Sequence, residues 1–302
     1  MMPMIIPFTF LFINYTTEQT QVQEKLPCNQ QKLWYNTFGD SMDRSKIERI
    51  AQTQEDRILL SMLWDKINSG MQRNIPTHTP FLSPRELEMA RYLFGEPVGL
   101  YAFGGYDDAE RKMLVYLPDY LYEDWLESDE SPVTCLRCTF YEGDTPTHRD
   151  FLGALIGSGI ARNAIGDICV DKGSCDLFVT PEIAPYLLQN FTSAGRTKLH
   201  ITQISIKDAH IPEPEIKEIK DTLASLRLDS VISSGFRMGR SLAAQHISAG
   251  KVTVNGLLCE KPDKAVAQGA KIALRGCGKI LLAEVNGQTK KGRIGITIHR
   301  YL

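Results

Sequence analysis

Long apolar runs are missing from this 302-residue sequence. The one candidate, "MMPMIIPFTFLFINYTTEQT", is broken by Pro7, has no basic region before it and no small-residue cleavage site, and is too short for a bilayer. Neither a signal nor a membrane anchor is expected there. Cysteine is sparse and unframed. Seven are scattered without disulfide spacing, several inside strand-like runs such as "GDICV", which suits a reducing, cytoplasmic setting. Cys135-Leu136-Arg137-Cys138 has zinc-knuckle spacing, but no second CxxC or spaced His pair follows, and a tetrahedral site needs four ligands. No metal site and no cofactor are therefore expected. Sustained heptads are absent as well, so a monomer is the default. What is present is an ordinary globular composition, 43% hydrophobic and 23% charged with a mean hydropathy of -0.20, long enough for two or three domains.

Charge divides the chain unevenly. The net value is -2, but residues 227–302 carry 13 Lys and Arg against 4 Asp and Glu, which leaves -11 on the rest. A basic module on an acidic body points to a polyanion partner for the module alone. Residues 1–41 turn polar and Gln/Asn-rich after the first apolar stretch and read as a disordered extension. The folded pattern begins near "MDRSKIERIAQ", so a misassigned start codon at Met42 would explain the extension.

From Lys46 the spacing of Ile47, Ile50, Ile58, Leu59, Met62, Leu63 and Ile67 predicts one buried helical face. Ser83-Pro84-Arg85-Glu86 carries a capping box that opens a second helix with Leu87, Ala90 and Leu93 on its apolar stripe. Strands follow at "VGLYAF" and "KMLVYL", joined by "GGYDDAER". Between Ser131 and Ile206 the order is βαββαβ, with a helix from Thr147 and another opened at Thr180-Pro181-Glu182. That order predicts an antiparallel sheet backed by two helices, the ferredoxin-like layout that RNA-recognition (RRM-like) folds share. The aromatic strand motif on which such domains stack bases is absent. Residues 208–224, with two prolines and alternating charge, read as a linker that regains helical form into the basic module.

In that module "RLDSVISSGF" and "GRSLAAQHIS" each put apolar residues on one helical face. Gly250 supplies a left-handed cap, Lys251 complements the helix dipole, and Asn255-Gly256 demands a type I′ hairpin after Val252 and Val254. The fold class is thus α+β: a helical, mixed N-terminal subdomain (42–130), the central ferredoxin-like domain (131–207), the linker, and a basic C-terminal domain (225–302).

Arg227-Leu228-Asp229, Gly239-Arg240-Ser241, Gly250-Lys251-Val252 and Val254-Asn255-Gly256 resemble, in order and spacing, the S4 (αL-type) RNA-binding domain over about residues 227–275. Upstream, "GGYDDAERK" (104–112) and "HRDFLGALIGSGIARNAIGDI" (148–168) resemble signature stretches of the bacterial YlmH family of S4 proteins. The S4 resemblance implies that Arg227, Arg237, Arg240, Ser241, His246 and Lys251, with Lys261 and Lys264 nearby, face the phosphates of structured RNA. Arg forks suit that task because they meet phosphate bidentately. Gly239 departs from the family, which more often has Ser there, so a helix cap is lost. The YlmH resemblance implies a non-catalytic protein on the large ribosomal subunit, contacting ribosomal RNA and peptidyl-tRNA in quality control of stalled translation. His148, Arg149 and Arg162 could flank an anion at a helix start and make a second RNA surface.

Two other readings stand beside this one. S4 domains are also appended to enzymes that modify ribosomal RNA, but no catalytic synthase core or Gly-rich cofactor loop is evident. His148-Arg149-Asp150 matches a kinase triplet without its downstream Asn, and Thr147 with Asp150 reads better as a capping box. A division-associated scaffold is the other. The acidic side chains Asp107, Asp108 and Glu110 suit a protein contact better than a metal or RNA, and no small-molecule substrate is expected.

Overall fold

The structure is a computed structural model that describes residues 44–95, 97–289 and 292–302. The disordered extension expected at 1–41 lies outside the described residues. Short helix α1 (Ile47–Ile50) stops before α2 (Gln54–Arg73), because Thr53 opens a new helix with its own capping box. The Asp56 N–H donates to Thr53 Oγ1 at 3.1 Å, and the Thr53 N–H donates back to the Asp56 carboxylate at 3.2 Å. This restart resets the helical phase: Leu60, Leu63 and Ile67 are buried, while Ile58 and Met62 are 62% and 42% exposed. The single buried face expected through Ile58 and Met62 is corrected accordingly. Helix α3 (Pro84–Phe94) begins with the expected Ser83/Glu86 box and buries Met89, Ala90, Leu93 and Phe94.

Arg85 of α3 donates through both terminal nitrogens to Asp56, at 2.7 Å each, and so ties the two helices together. The Arg85 hydrogen bond holds the Asp56 carboxyl at about 2 rather than an ordinary 3.8. Because the folded-state value lies below the unfolded one, this stabilisation is complete above about pH 4 and disappears as pH falls toward 2. Asp56→Asn is therefore expected to cost about 2 kcal/mol at neutral pH. Urea titrations of the two proteins should converge between about pH 4 and pH 2.

Strands β1 (Thr77–His78), β2 (Leu100–Phe103) and β3 (Met113–Tyr116) form an antiparallel sheet in the order β1-β3-β2. The next elements are β4 (Thr134–Thr139), α4 (His148–Gly157), β5 (Ile165–Asp171), β6 (Ser174–Val179) and α5 (Ala184–Asn190), then a small hairpin of β7 (Ser193–Ala194) and β8 (Thr197–Lys198), and finally β9 (His200–Ile204). Their sheet is antiparallel throughout, in the order β5-β6-β4-β9. Helix α4 has its Thr147/Asp150 box, whereas α5 starts at Ala184, later than the Thr180-Pro181-Glu182 opening expected.

Alternation along the strands assembles four layers. Leu114 and Tyr116 of β3 face the core with α2 and α3, while Met113 and Val115 face a second core with Cys135, Cys169 and Phe178 of the larger sheet. The opposite face of that sheet, through Leu136, Cys138, Leu177 and Val179, packs on Phe151 and Leu155 of α4 and Leu187 of α5. Both sheets are thus covered on both sides, which explains strand runs too apolar for simple alternation.

The C-terminal part holds β10 (Ile216–Leu223), α6 (Leu228–Phe236), α7 (Arg240–Ser248), β11 (Val252–Val254), β12 (Leu257–Leu258), β13 (Lys271–Leu274), β14 (Gly278–Gln288) and β15 (Ile294–Tyr301). They make a six-stranded antiparallel sheet in the order β10-β15-β14-β13-β11-β12, with α6 and α7 packed on it. Residues 208–224 are consequently more than a linker. Their second half is an edge strand paired with β15 from Ile216↔Tyr301 to Leu223↔Ile294. Asn255 (φ 52) and Gly256 (φ 81) form the expected tight turn. A Cβ on Gly256 would stand 2.6 Å from the Arg85 backbone nitrogen, so only glycine lets the hairpin tip rest on the start of α3. Among the described residues, no helix is long and apolar enough to cross a membrane.

Candidate nucleic-acid interface

Asp229 organises the basic surface. Its side chain is only 7% exposed, yet it accepts from two arginines that are themselves open to solvent. Arg227, the N-cap of α6, donates through Nε and Nη2 at 3.3 and 3.2 Å, and Arg240, at the start of α7, meets the same carboxylate at 3.1 Å. Burial opposes ionisation of Asp229, but the hydrogen bonds from Arg227 and Arg240 outweigh it and lower the carboxyl below its usual range. One buried anion therefore orients two cations from different helices. A guanidinium has five N–H groups, so each arginine keeps donors for a phosphate.

The other expected cations spread along α7. Lys261 and Lys264 lie in the turn against the first residues of α6, where the Asp229 N–H donates to Pro262 O at 3.0 Å and the Leu228 N–H to Lys264 O at 2.9 Å. Ser241 is exposed on the first turn of α7, and Gly239 before it offers no side-chain cap, as the sequence implies. His246 is half-buried in the last turn. Gly250 (φ 65) then closes the helix, with Lys251 N–H bonded to His246 O at 3.1 Å. Nine helical residues rise about 13 Å, so Arg240 and Lys251 mark opposite ends of α7. Arg275, which sequence reasoning missed, is brought beside Lys251 by its N–H bond to Lys251 O at 2.9 Å. Arg237 occupies a left-handed position (φ 54) after α6 with its side chain exposed.

The second surface expected in the central part is not assembled as the sequence suggested. His148 and Arg149 are exposed on the first turn of α4. Arg162 follows the far end of that ten-residue helix and donates to Ile165 O at 2.7 Å, so it cannot flank the same anion. The exposed cations nearer α4's beginning are Arg196 and Lys198, since the β7–β8 turn packs there: a Cβ on Gly195 would lie 3.2 Å from Asp150 Oδ1. The face of the larger sheet opposite its helices is sealed by Phe81, Met113 and Val115, which rules out base stacking on it. Cys135 and Cys138 point to opposite faces of β4. Burial raises both thiols, Cys138 to about 12, so they neither converge nor ionise.

The two signature stretches upstream interlock. Asp167, from the second, accepts from Tyr106 Oη at 2.8 Å and from the backbone N–H groups of Glu110 and Arg111 at 2.6 and 3.1 Å in the first. Arg111 donates to Ile165 O, Phe81 O and Arg162 O. Phe178 lies so close to Gly105 (φ 99) that a Cβ there would sit 2.3 Å from its ring. These residue types therefore serve a structural lock between the two sheets. Glu110 pairs with Lys279 of β14, so the acidic turn meets the chain's own basic module. Among the described residues, no group of His, Cys, Asp and Glu could hold a metal ion.

Residues 144–208 match the family model described as "Putative RNA-binding domain in YlmH". The chain is 35% identical over 226 residues to "Ribosome-associated protein quality control protein P2" of Bacillus subtilis (strain 168), covering 74% of this chain and 86% of that protein. The solved structure of "Cell division protein ylmH from Streptococcus pneumoniae" is also similar, at 22% identity and a TM-score of 0.43, over 54% of this chain and 98% of that one. With the identity to the Bacillus subtilis protein extending over most of both sequences, the chain belongs to the YlmH family.

Proposed function

We propose that this protein is a non-catalytic, cytoplasmic RNA-binding factor of the ribosome. In this reading it binds structured ribosomal RNA, with peptidyl-tRNA, on the large subunit during quality control of stalled translation. The observation that carries it is the pair of solvent-open arginines, Arg227 and Arg240, oriented by the buried Asp229. Ser241, Lys251, Lys261 and Lys264 extend that surface, and recognition through the backbone suits structured RNA. The domain assignments belong to the same proposal: residues 131–207 as a ferredoxin-like domain, supported by the strand order β5-β6-β4-β9, and residues 225–302 as an S4 domain joined at its edge by β10. His148 and Arg149, inside the segment matched by the family model, are a second RNA contact together with Arg196 and Lys198. Ultraviolet crosslinking of the full chain in lysate, with sequencing of the bound RNA, tests the reading. Crosslinks from peptides within residues 227–251 to large-subunit RNA are expected. Crosslinks confined to messenger RNA, or none at all, would reject it.

A further inference from the structure

Beside the Asp229 fork lies an open hollow of about 440 Å³, bounded by the end of α6, the start of α7, β10 and the approach to β15. That volume lies within the range of sites that hold a small ligand. Three arginines line it: Arg237 just after α6, Arg240 at the start of α7 and Arg293 just before β15. Arg293 lies outside the segment that resembles the S4 domain. The hollow is not purely basic, because Asp221 is in its wall, where its carboxylate accepts from Ser234 Oγ at 2.7 Å.

Two of the arginines are held by side-chain bonds, and the third is set by its backbone alone. Arg240 is tethered by Asp229, and Arg293 by Thr222, to whose Oγ1 its Nε donates at 3.0 Å and to whose carbonyl oxygen Nη2 donates. Arg237 is fixed through its backbone. The Arg237 N–H bonds Ser234 O at 3.3 Å and the Met238 N–H bonds Ser233 O at 3.1 Å, a helix ending whose left-handed residue is normally glycine. An arginine in that conformation is strained, and strain retained at a solvent-open cation marks a use for its side chain.

We infer that this hollow seats one phosphate group of the bound RNA backbone, gripped by Arg237, Arg240 and Arg293, and that Arg293 is an RNA-contact residue. The inference rests on the RNA-binding reading above. Full-length protein and its Arg293→Ala and Arg237→Gly variants would be titrated with ribosomal RNA by filter binding over a range of salt concentrations. Each variant should bind about sixfold more weakly near 0.1 M salt and flatten the log-log salt slope by about 0.7 to 0.9. Arg237→Gly should meanwhile unfold no earlier than wild type, because glycine accepts the left-handed backbone, so its loss of affinity is not a folding defect. Wild-type binding with unchanged affinity and slope in both variants would overturn this inference and leave the RNA-binding reading intact. No RNA binding by wild type would overturn both. Calorimetric titration with AMP distinguishes the source of the phosphate: no binding at millimolar nucleotide is expected, and tight binding that Arg293→Ala abolishes would make this a free-nucleotide site instead.

Discussion

Replacing Asp229 with Asn is expected to weaken ribosomal RNA binding about tenfold, although it makes the protein more positive. Charge alone predicts the reverse, since removing an anion from a module with 13 basic and 4 acidic side chains should tighten its hold on a polyanion. The fork geometry decides the sign. Asp229 keeps Arg227 and Arg240 in register before RNA arrives, and without it both side chains must be ordered during binding, at about 0.5 to 1.5 kcal/mol each. An Asn retains the size and one acceptor, so the variant should stay folded with a modest loss of stability, about 1 to 2 kcal/mol. Filter binding and urea unfolding on the same preparation check both numbers. Equal or tighter RNA binding in a folded Asp229→Asn protein would show that the arginines act only as diffuse charge.

A larger loss is expected when both ends of α7 are reversed in charge. The Arg240→Glu, Lys251→Glu double variant removes two phosphate contacts and installs two repulsions, so affinity near 0.1 M salt should fall at least roughly 40-fold and the salt slope should flatten by about 1.4 to 1.8. Lys251→Glu alone is the cleaner half, because the Lys251 side chain is exposed and makes no ion pair among the described residues, whereas Arg240→Glu also sets a second carboxylate near Asp229. The single Lys251 variant should therefore unfold like wild type while losing about sixfold in affinity. A salt slope unchanged in the double variant would mean that α7 does not touch phosphate.

The parts of the fold legible in the sequence were those fixed by local chemistry. Capping boxes at Ser83/Glu86 and Thr147/Asp150, the Gly250 helix ending and the Asn255-Gly256 turn each need only a few adjacent residues. Strand β10 was not legible, because its apolar positions Ile216, Ile219 and Leu223 are spaced like a helix, and only pairing with β15, some seventy residues away, makes it a strand. The phase of α2 was not legible either, because Thr53 restarts the helix and turns Ile58 and Met62 outward. In the candidate site, the individual cations from Arg227 to Lys264 could be named from their resemblance to S4 positions. That Asp229 joins two of them, that Arg293 returns to the same hollow, and that Arg162 is occupied by the Ile165 carbonyl are tertiary facts. The stretches 104–112 and 148–168 were legible as signature stretches by resemblance, but that Asp167 closes one onto the other is again a tertiary fact.

Sucrose-gradient sedimentation of tagged full-length protein from lysate, beside the Arg240→Glu, Lys251→Glu variant and at low and high salt, tests the central claim most directly. Wild type is expected to travel with large ribosomal subunits at low salt and to be released at high salt, while the variant stays at the top of the gradient in both. Wild type free of ribosomes at low salt, or a variant that sediments with them as well as wild type, would contradict it.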